Sequence, residues 1–129
     1  MFEFVFVPDL EDQKGGHHVD NVVIYGWLDR QRTALFVEMG FVPKTDFFPA
    51  ILKANIEYHA ELFAESPVTI TSTIKRVGNS SFVTLQTIEQ DGKTCVTLES
   101  VAVNVNNHSR SSMPIPGDVA ARMQGLMAA

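Results

Sequence analysis

Residues 8–40 read PDLEDQKGGHHVDNVVIYGWLDRQRTALFVEMG, one polar loop running into one long apolar segment. From Asp9 to His18 the loop carries Asp9, Glu11 and Asp12, a Gly15-Gly16 pair, and two histidines, His17 and His18, with turn residues and no periodicity. Asp20 or Asn21 then offers a side-chain oxygen to the first free amides of a helix. Gly40 supplies the left-handed residue at which such a helix stops, giving a length of about 18 residues. Ile24, Leu28, Leu35 and Met39 form one stripe, which Trp27, Ala34 and Val37 broaden, and Asp29, Arg30, Arg32 and Thr33 form a polar arc. Asp29 and Arg32, three apart, can pair on the helix surface. Gly26 weakens a helix interior by roughly 1 kcal/mol against alanine, so another backbone is expected to pass close to it. A helix apolar on more than one face must be wrapped.

The rest of the chain supplies the wrapping. FEFVFV is β-branched and aromatic, and Pro8 ends it as a first strand. After the helix, FVPKTDFFP reads as an apolar linker that must pack on the core or on a ligand channel. From Ala50 onward come AILKANIEYHAEL, VTITSTIKRV, SFVTLQTIEQ and KTCVTLESVAVNVN, four strand-like runs. Gly78-Asn79 turns the second run into the third, and Asp91-Gly92 makes a hairpin of the last two. Strands of about ten residues on short connections form an antiparallel meander that curls. Thr71, Thr73, Thr84 and Thr87 read as half-exposed positions on it. GDVAARMQGLMAA, after the Pro114–Pro116 stop, reads as a short terminal helix.

Composition bounds what such a domain does. A chain of 129 residues with 45% hydrophobic content suits a single domain, 1–129, with one core. The net charge of -5 argues against nucleic acid and anionic membranes as partners. No apolar run reaches the roughly 18 residues of a membrane span. The opening MFEFVFVPDLEDQ lacks a basic signal-peptide region, so a cytoplasmic location is expected. Cys95, the only cysteine, excludes an internal disulfide and a multi-cysteine zinc site, and reads as a small core residue.

One strand, one long helix and a curved antiparallel sheet around it make an α+β layout in the order of the hotdog fold. The motifs sharpen this. His18-Val19-Asp20-Asn21 followed by Leu28-Asp29-x-x-Arg32 resembles the GHVNN and Y-x-E-x-A-R signature of the 4-hydroxybenzoyl-CoA thioesterase-like hotdog proteins. IEYHAEL resembles that family's strand after the helix, RVGNSS its R-x-G-x-S-S hairpin, and SRSSMPIP its terminal G-R-P-x-P-x-P. No single piece is specific, but the ordered set covers nearly the whole chain.

The resemblance implies hydrolysis of an acyl-CoA thioester by a loop carboxylate, with the acyl carbonyl held against amides at the start of the long helix. The family's catalytic residue is the second Asp of D-x-D-x-x-G-H-V-N-N. Anchored on His18-Val19-Asp20-Asn21, that slot falls on Lys14, which cannot serve as the base. Anchored on the end of the first strand, D-x-D becomes Asp9-Leu10-Glu11, with two extra residues accommodated around Lys14-Gly15. The second register is preferred, with Glu11 the first choice and Asp12 beside it. His18 is read as a loop brace or substrate contact. Asn21 either caps the helix or, by the resemblance, orients the loop or contacts the thioester. Adjacent histidines rarely converge on one ion without a third ligand, so no metal is expected. His59, by strand alternation with Glu57 and Glu61, is a surface or interface residue.

For the CoA phosphates, Lys75, Arg76, Ser80, Ser81 and Arg110 are the candidate contacts, each equally readable as an ordinary solvated surface group. Trp27, Phe36, Phe41, Phe47 and Phe48 read as core by default and as acyl-tunnel candidates otherwise. In the family the pocket lies between protomers, which implies a homodimer or homotetramer. The alternative is a hotdog protein that binds an acyl thioester or another apolar ligand without hydrolysing it, motivated by Lys14. No cofactor is expected.

Overall fold

In a computed structural model, residues 2–41 and 46–127 are described. The chain runs β1 (Phe2–Phe6), a 3-10 turn (Leu10–Gln13), α1 (Asn21–Met39), β2 (Phe47–Tyr58), β3 (Val68–Val77), β4 (Ser81–Gln90), β5 (Lys93–Asn106) and α2 (Gly117–Gly125). The strands form one antiparallel sheet in the order β1-β3-β4-β5-β2. This is the hotdog arrangement that the element order led us to expect.

Asp20 caps α1, its Oδ2 accepting from the Val22 amide at 3.0 Å. Gly40 ends the helix at φ 94°, where its amide and that of Phe41 close the last turn on Phe36 and Val37 carbonyls. Ile24, Trp27, Leu28, Leu35 and Met39 are buried as the stripe requires. Val37 is not: it is exposed on the outer side. Arg32, placed in the polar arc by its charge, is also misplaced by the sequence reading, since it is only 4% exposed. Its guanidinium donates inward to Ser100 Oγ at 2.9 Å and outward to Asp29 Oδ1 at 3.1 Å, so partners on both sides make burial tolerable.

Arg32 belongs to a buried polar belt across the middle of the core. Gln31 donates to the Ile70 carbonyl at 2.6 Å and accepts from Ser72 Oγ at 2.6 Å, and Gln86 donates to Gln31 Oε1 and the Leu28 carbonyl. Thr84, expected half-exposed, is 1% exposed within this belt. Apolar clusters lie on either side. One holds Ile24, Trp27, Leu62, Ile70, Ile88 and Val96; the other holds Leu35, Met39, Phe41, Phe82, Val119 and Met123.

The sheet curls through three register shifts, at Leu52, Lys75 and Cys95, where a bulged residue increases local twist. Asp91 (φ 53°) and Gly92 (φ 75°) both take the positive angles of a tight hairpin turn. Three further sequence expectations change. Strand β2 begins at Phe47, and Pro49 is tolerated because β2 is an edge strand. The same strand ends at Tyr58, so His59 lies beyond it and its facing does not follow strand alternation. Within the loop before α1, a short 3-10 turn replaces irregular chain. Val42–Thr45 of the apolar linker lie outside the described residues. Around Gly26, among the described residues, a Cβ would meet only Arg30 Nη1, at 3.9 Å, so the close backbone approach expected there is not found among them.

Candidate active site

The loop before α1 and the segment after β2 face one another across a cleft of about 410 Å³. Its walls are His18-Val19-Asp20-Asn21 and Ile24 on one side and Tyr58-His59-Ala60-Glu61-Leu62 on the other. Val19, Ile24 and Leu62 are buried and make its apolar floor.

Backbone bonds fix both walls. The Val19 amide donates to the Leu62 carbonyl at 2.8 Å, joining them directly. The bulge at Cys95 turns its carbonyl toward the second wall, where it accepts from the amides of His59 (2.7 Å) and Ala60 (3.1 Å). Gln90, 4% exposed, clamps the chain just beyond Leu62: it accepts from the Phe63 amide and donates to the Phe63 and Ser66 carbonyls, all at 2.8–2.9 Å. Gln13 holds the other wall to the same loop, accepting from the Ala64 amide at 2.8 Å.

At the head of α1 the cap uses the Val22 amide. By helix geometry the first-turn amides of Asn21 and Val23 have no partner within the helix, and the positive end of the helix dipole lies at this end of α1, where Asp20, Asn21 and Ile24 line the cleft. Tyr58 lies across this mouth with its hydroxyl 3.5 Å from the Asn21 carbonyl. Partial burial, then neighbouring Tyr25 and Asp20, push its phenol above the ordinary tyrosine range, so it stays protonated and can donate. His59 Nε2 is 3.0 Å from Thr97 Oγ1. His18 Nδ1 is 3.5 Å from Glu61 Oε1, and both side chains are more than half exposed.

Of the residues singled out in sequence, His18 and Asn21 line the cleft, whereas Glu11 and Asp12 lie on the 3-10 turn outside its lining. Asp12 Oδ2 accepts from the Asp9 amide at 2.9 Å, capping that turn, and Glu11 is exposed. Glu61, Tyr58 and Asp20 were not singled out as site residues; Glu61 stands in IEYHAEL like any surface acid. Trp27, Phe36 and Phe41 are core residues, with Phe47 packed on the second cluster, and none of them lines the cleft. Phe48 instead sits under Arg110, 5.5 Å from ring to guanidinium.

The proposed phosphate contacts gather at the far end of the sheet. Lys75 pairs with Glu99 at 3.2 Å, and Arg76 is exposed beside it. The Ser80 carbonyl accepts from the Asn104 amide, Ser81 opens β4, and Arg110 donates to Asn107 Oδ1 at 2.9 Å. From Val68 to Lys75 the strand covers roughly 24 Å at ~3.4 Å per residue, so a single chain does not bring these groups to its own cleft. Among the described residues no group of three or more His, Cys, Asp or Glu converges as a metal site. No helix among them is long and apolar enough to cross a membrane.

The family model of the thioesterase-like superfamily matches residues 10–123, which takes in the cleft and the whole meander. The chain belongs to the thioesterase-like superfamily. That membership places it among the thioester hydrolases. A solved structure described as a predicted thioesterase from Bacillus stearothermophilus is similar at 25% identity, covering 98% of this chain and 96% of that one, with a TM-score of 0.87. A 1,4-dihydroxy-2-naphthoyl-CoA thioesterase from Synechocystis shares 15% identity over 97% and 96% of the two chains (TM-score 0.83). A Staphylococcus aureus protein solved in complex with CoA shares 14% over 99% and 86% (TM-score 0.85). At those last two identities the likeness is one of fold. No protein of curated function matches the chain.

Proposed function

We propose that this thioesterase-like protein acts, as a single cytoplasmic domain, on an acyl-CoA thioester, cleaving it to a carboxylic acid and free CoA. The observation that carries the reading is the cleft at the start of α1: its mouth offers first-turn amides and the helix dipole to a developing oxyanion, and its floor is apolar. The water-activating carboxylate comes from the acids around it, either Glu11 or Asp12 of the preceding loop, as in the family pattern, or Glu61 of the opposite wall. His18 and Asn21 contact substrate or hold the loop.

CoA recognition by Lys75, Arg76, Ser80, Ser81 and Arg110 fits a homodimer. Strand β2 has β5 on one side and lies at the sheet edge on the other, with Ile51, Leu52 and Tyr58 exposed. Two-fold antiparallel pairing about the middle of β2 would bring the Phe48 and Arg110 end of one protomer beside the cleft of the other. A homotetramer would stack two such dimers. Support for a CoA ligand comes from the similar fold solved with CoA.

The test is thiol release from a panel running from acetyl-CoA to palmitoyl-CoA with benzoyl-CoA, alongside thermal stabilisation by a non-hydrolysable thioether analogue. Turnover of any member with stabilisation by the analogue is expected. Stabilisation without turnover would favour a binding protein that does not hydrolyse its ligand, and the absence of both effects would overturn the reading.

A further inference from the structure

We propose that Glu61 is the carboxylate that activates water in this cleft, with His18 as its positioning partner. This rests on the thioester-hydrolase reading of the same site and names the residue that performs it.

The cleft's titratable groups are His18, Asp20, Tyr58, His59 and Glu61. Three have structural engagements. Asp20 Oδ2 accepts from the Val22 amide, the Tyr58 hydroxyl is directed at the Asn21 carbonyl, and His59 Nε2 is engaged with Thr97 Oγ1. Glu61 and His18 pair instead with one another, from one wall of the cleft to the other. Glu61 Oε1 stands 3.5 Å from His18 Nδ1, which leaves Glu61 Oε2 and His18 Nε2 for the cleft. The loop acids are placed worse. Asp12 closes the cap of its own 3-10 turn, and neither it nor Glu11 lines the cleft.

Lys14 adds a second observation. In the register anchored on His18-Val19-Asp20-Asn21 the family's base slot falls on Lys14, whose backbone is left-handed at φ 47° where the 3-10 turn ends. A carboxylate from the opposite wall restores what that slot lacks. The wall is built to hold one. The residues on both sides of Glu61 are anchored, with Ala60 on the Cys95 carbonyl, Leu62 on the Val19 amide and Phe63 on Gln90, while the Glu61 side chain itself is 62% exposed at the mouth.

The step balances without a co-reactant. Glu61 takes a proton from a water whose oxygen forms a bond to the thioester carbon, and the carbonyl electron pair moves onto the oxygen facing the α1 amides. Collapse of that adduct breaks the carbon–sulfur bond, and the electron pair leaves on sulfur. The proton on Glu61 passes to sulfur, releasing free CoA and the carboxylic acid.

The experiment compares wild type, Glu61→Gln, Glu61→Ala and an exposed acid outside the cleft lining, Glu89→Gln, on the best acyl-CoA of the panel. Thermal unfolding verifies that each variant folds. Glu61→Gln is expected to lose at least about 100-fold in kcat with KM within a few-fold, the range of general-base catalysis, while Glu89→Gln matches wild type. Formate is expected to restore part of the Glu61→Ala rate, which a merely structural role would not allow. His18→Gln is expected to lower kcat less, and to have no further effect once Glu61→Gln is in place. Wild-type turnover with Glu61→Gln within a few-fold of it would overturn the assignment and leave the thioesterase reading standing. Absence of wild-type turnover on every acyl-CoA would remove both.

Discussion

Replacing Gln90 by leucine separates the clamp on the cleft wall from the wall itself. Gln90 makes three hydrogen bonds, to the Phe63 amide and to the carbonyls of Phe63 and Ser66, and leucine makes none while keeping a similar volume. Each lost bond costs about 1 kcal/mol. Partial access of water to the exposed Phe63 backbone and the apolar gain of buried leucine offset about 1 kcal/mol of that, leaving a net loss of about 2 kcal/mol. With an unfolding entropy of about 0.27 kcal/mol/K for a domain of this length, Tm should fall by roughly 7 °C. Because Gln90 touches nothing in the cleft, its effect on catalysis can only pass through the position of the 59–62 wall. A fall in kcat of about tenfold, with KM little changed, is the expected kinetic result. Scanning calorimetry and steady-state thiol release at 25 °C, where the variant remains folded, measure the two effects. A Tm within about 2 °C of wild type, or an unaltered kcat, would refute the claim that this clamp holds the working wall.

Other perturbations test separate parts. Asp20→Ala removes the N-cap of α1 and should cost about 1 kcal/mol, seen as a Tm lower by roughly 4 °C. Leu52→Asp, on the exposed bulge of β2, tests the proposed dimer: light scattering should find the variant monomeric and the wild type dimeric, and CoA binding should weaken, since the phosphate groups would then lie on no adjoining copy. Burial raises the Cys95 thiol pKa above its unfolded value, so its stability contribution is complete below the ordinary thiol range, begins to fall there and is lost as pH rises through the raised folded-state pKa. Stability by urea titration should therefore decline above about pH 8.5, by less in Cys95→Ala, and the native thiol should react with a thiol reagent only on unfolding.

Local signals were legible wherever local physics decides. The bounds of β3, β4 and β5 coincide with the apolar runs read in sequence, because Gly78-Asn79 and Asp91-Gly92 cut them at the turns. The stop at Gly40 was legible for the same reason, as was the cap to within one residue, Asp20 or Asn21, of which Asp20 serves. Illegible were features made by residues distant in the chain. Nothing near Arg32 announces that Ser100, 68 positions away, will accept its hydrogen bond and let it sit in the core. Gln31 is likewise buried by Ser72 and Gln86. At the site, the loop before α1 was conspicuous because its acids are crowded together. Glu61 was not, because what turns it into a cleft residue is the Cys95 bulge and the Gln90 side chain, both on strands later in the chain.

The central claim is that the thioester carbonyl sits at the start of α1, between the two walls. Amide NMR of the protein titrated with a ketone-bearing thioether analogue of acyl-CoA tests this most directly. The largest shifts should fall on the amides of Asn21 and Val23, with smaller ones on His18–Asp20 and His59–Leu62. Saturable shifts confined to other surfaces, with these amides unmoved, would contradict it.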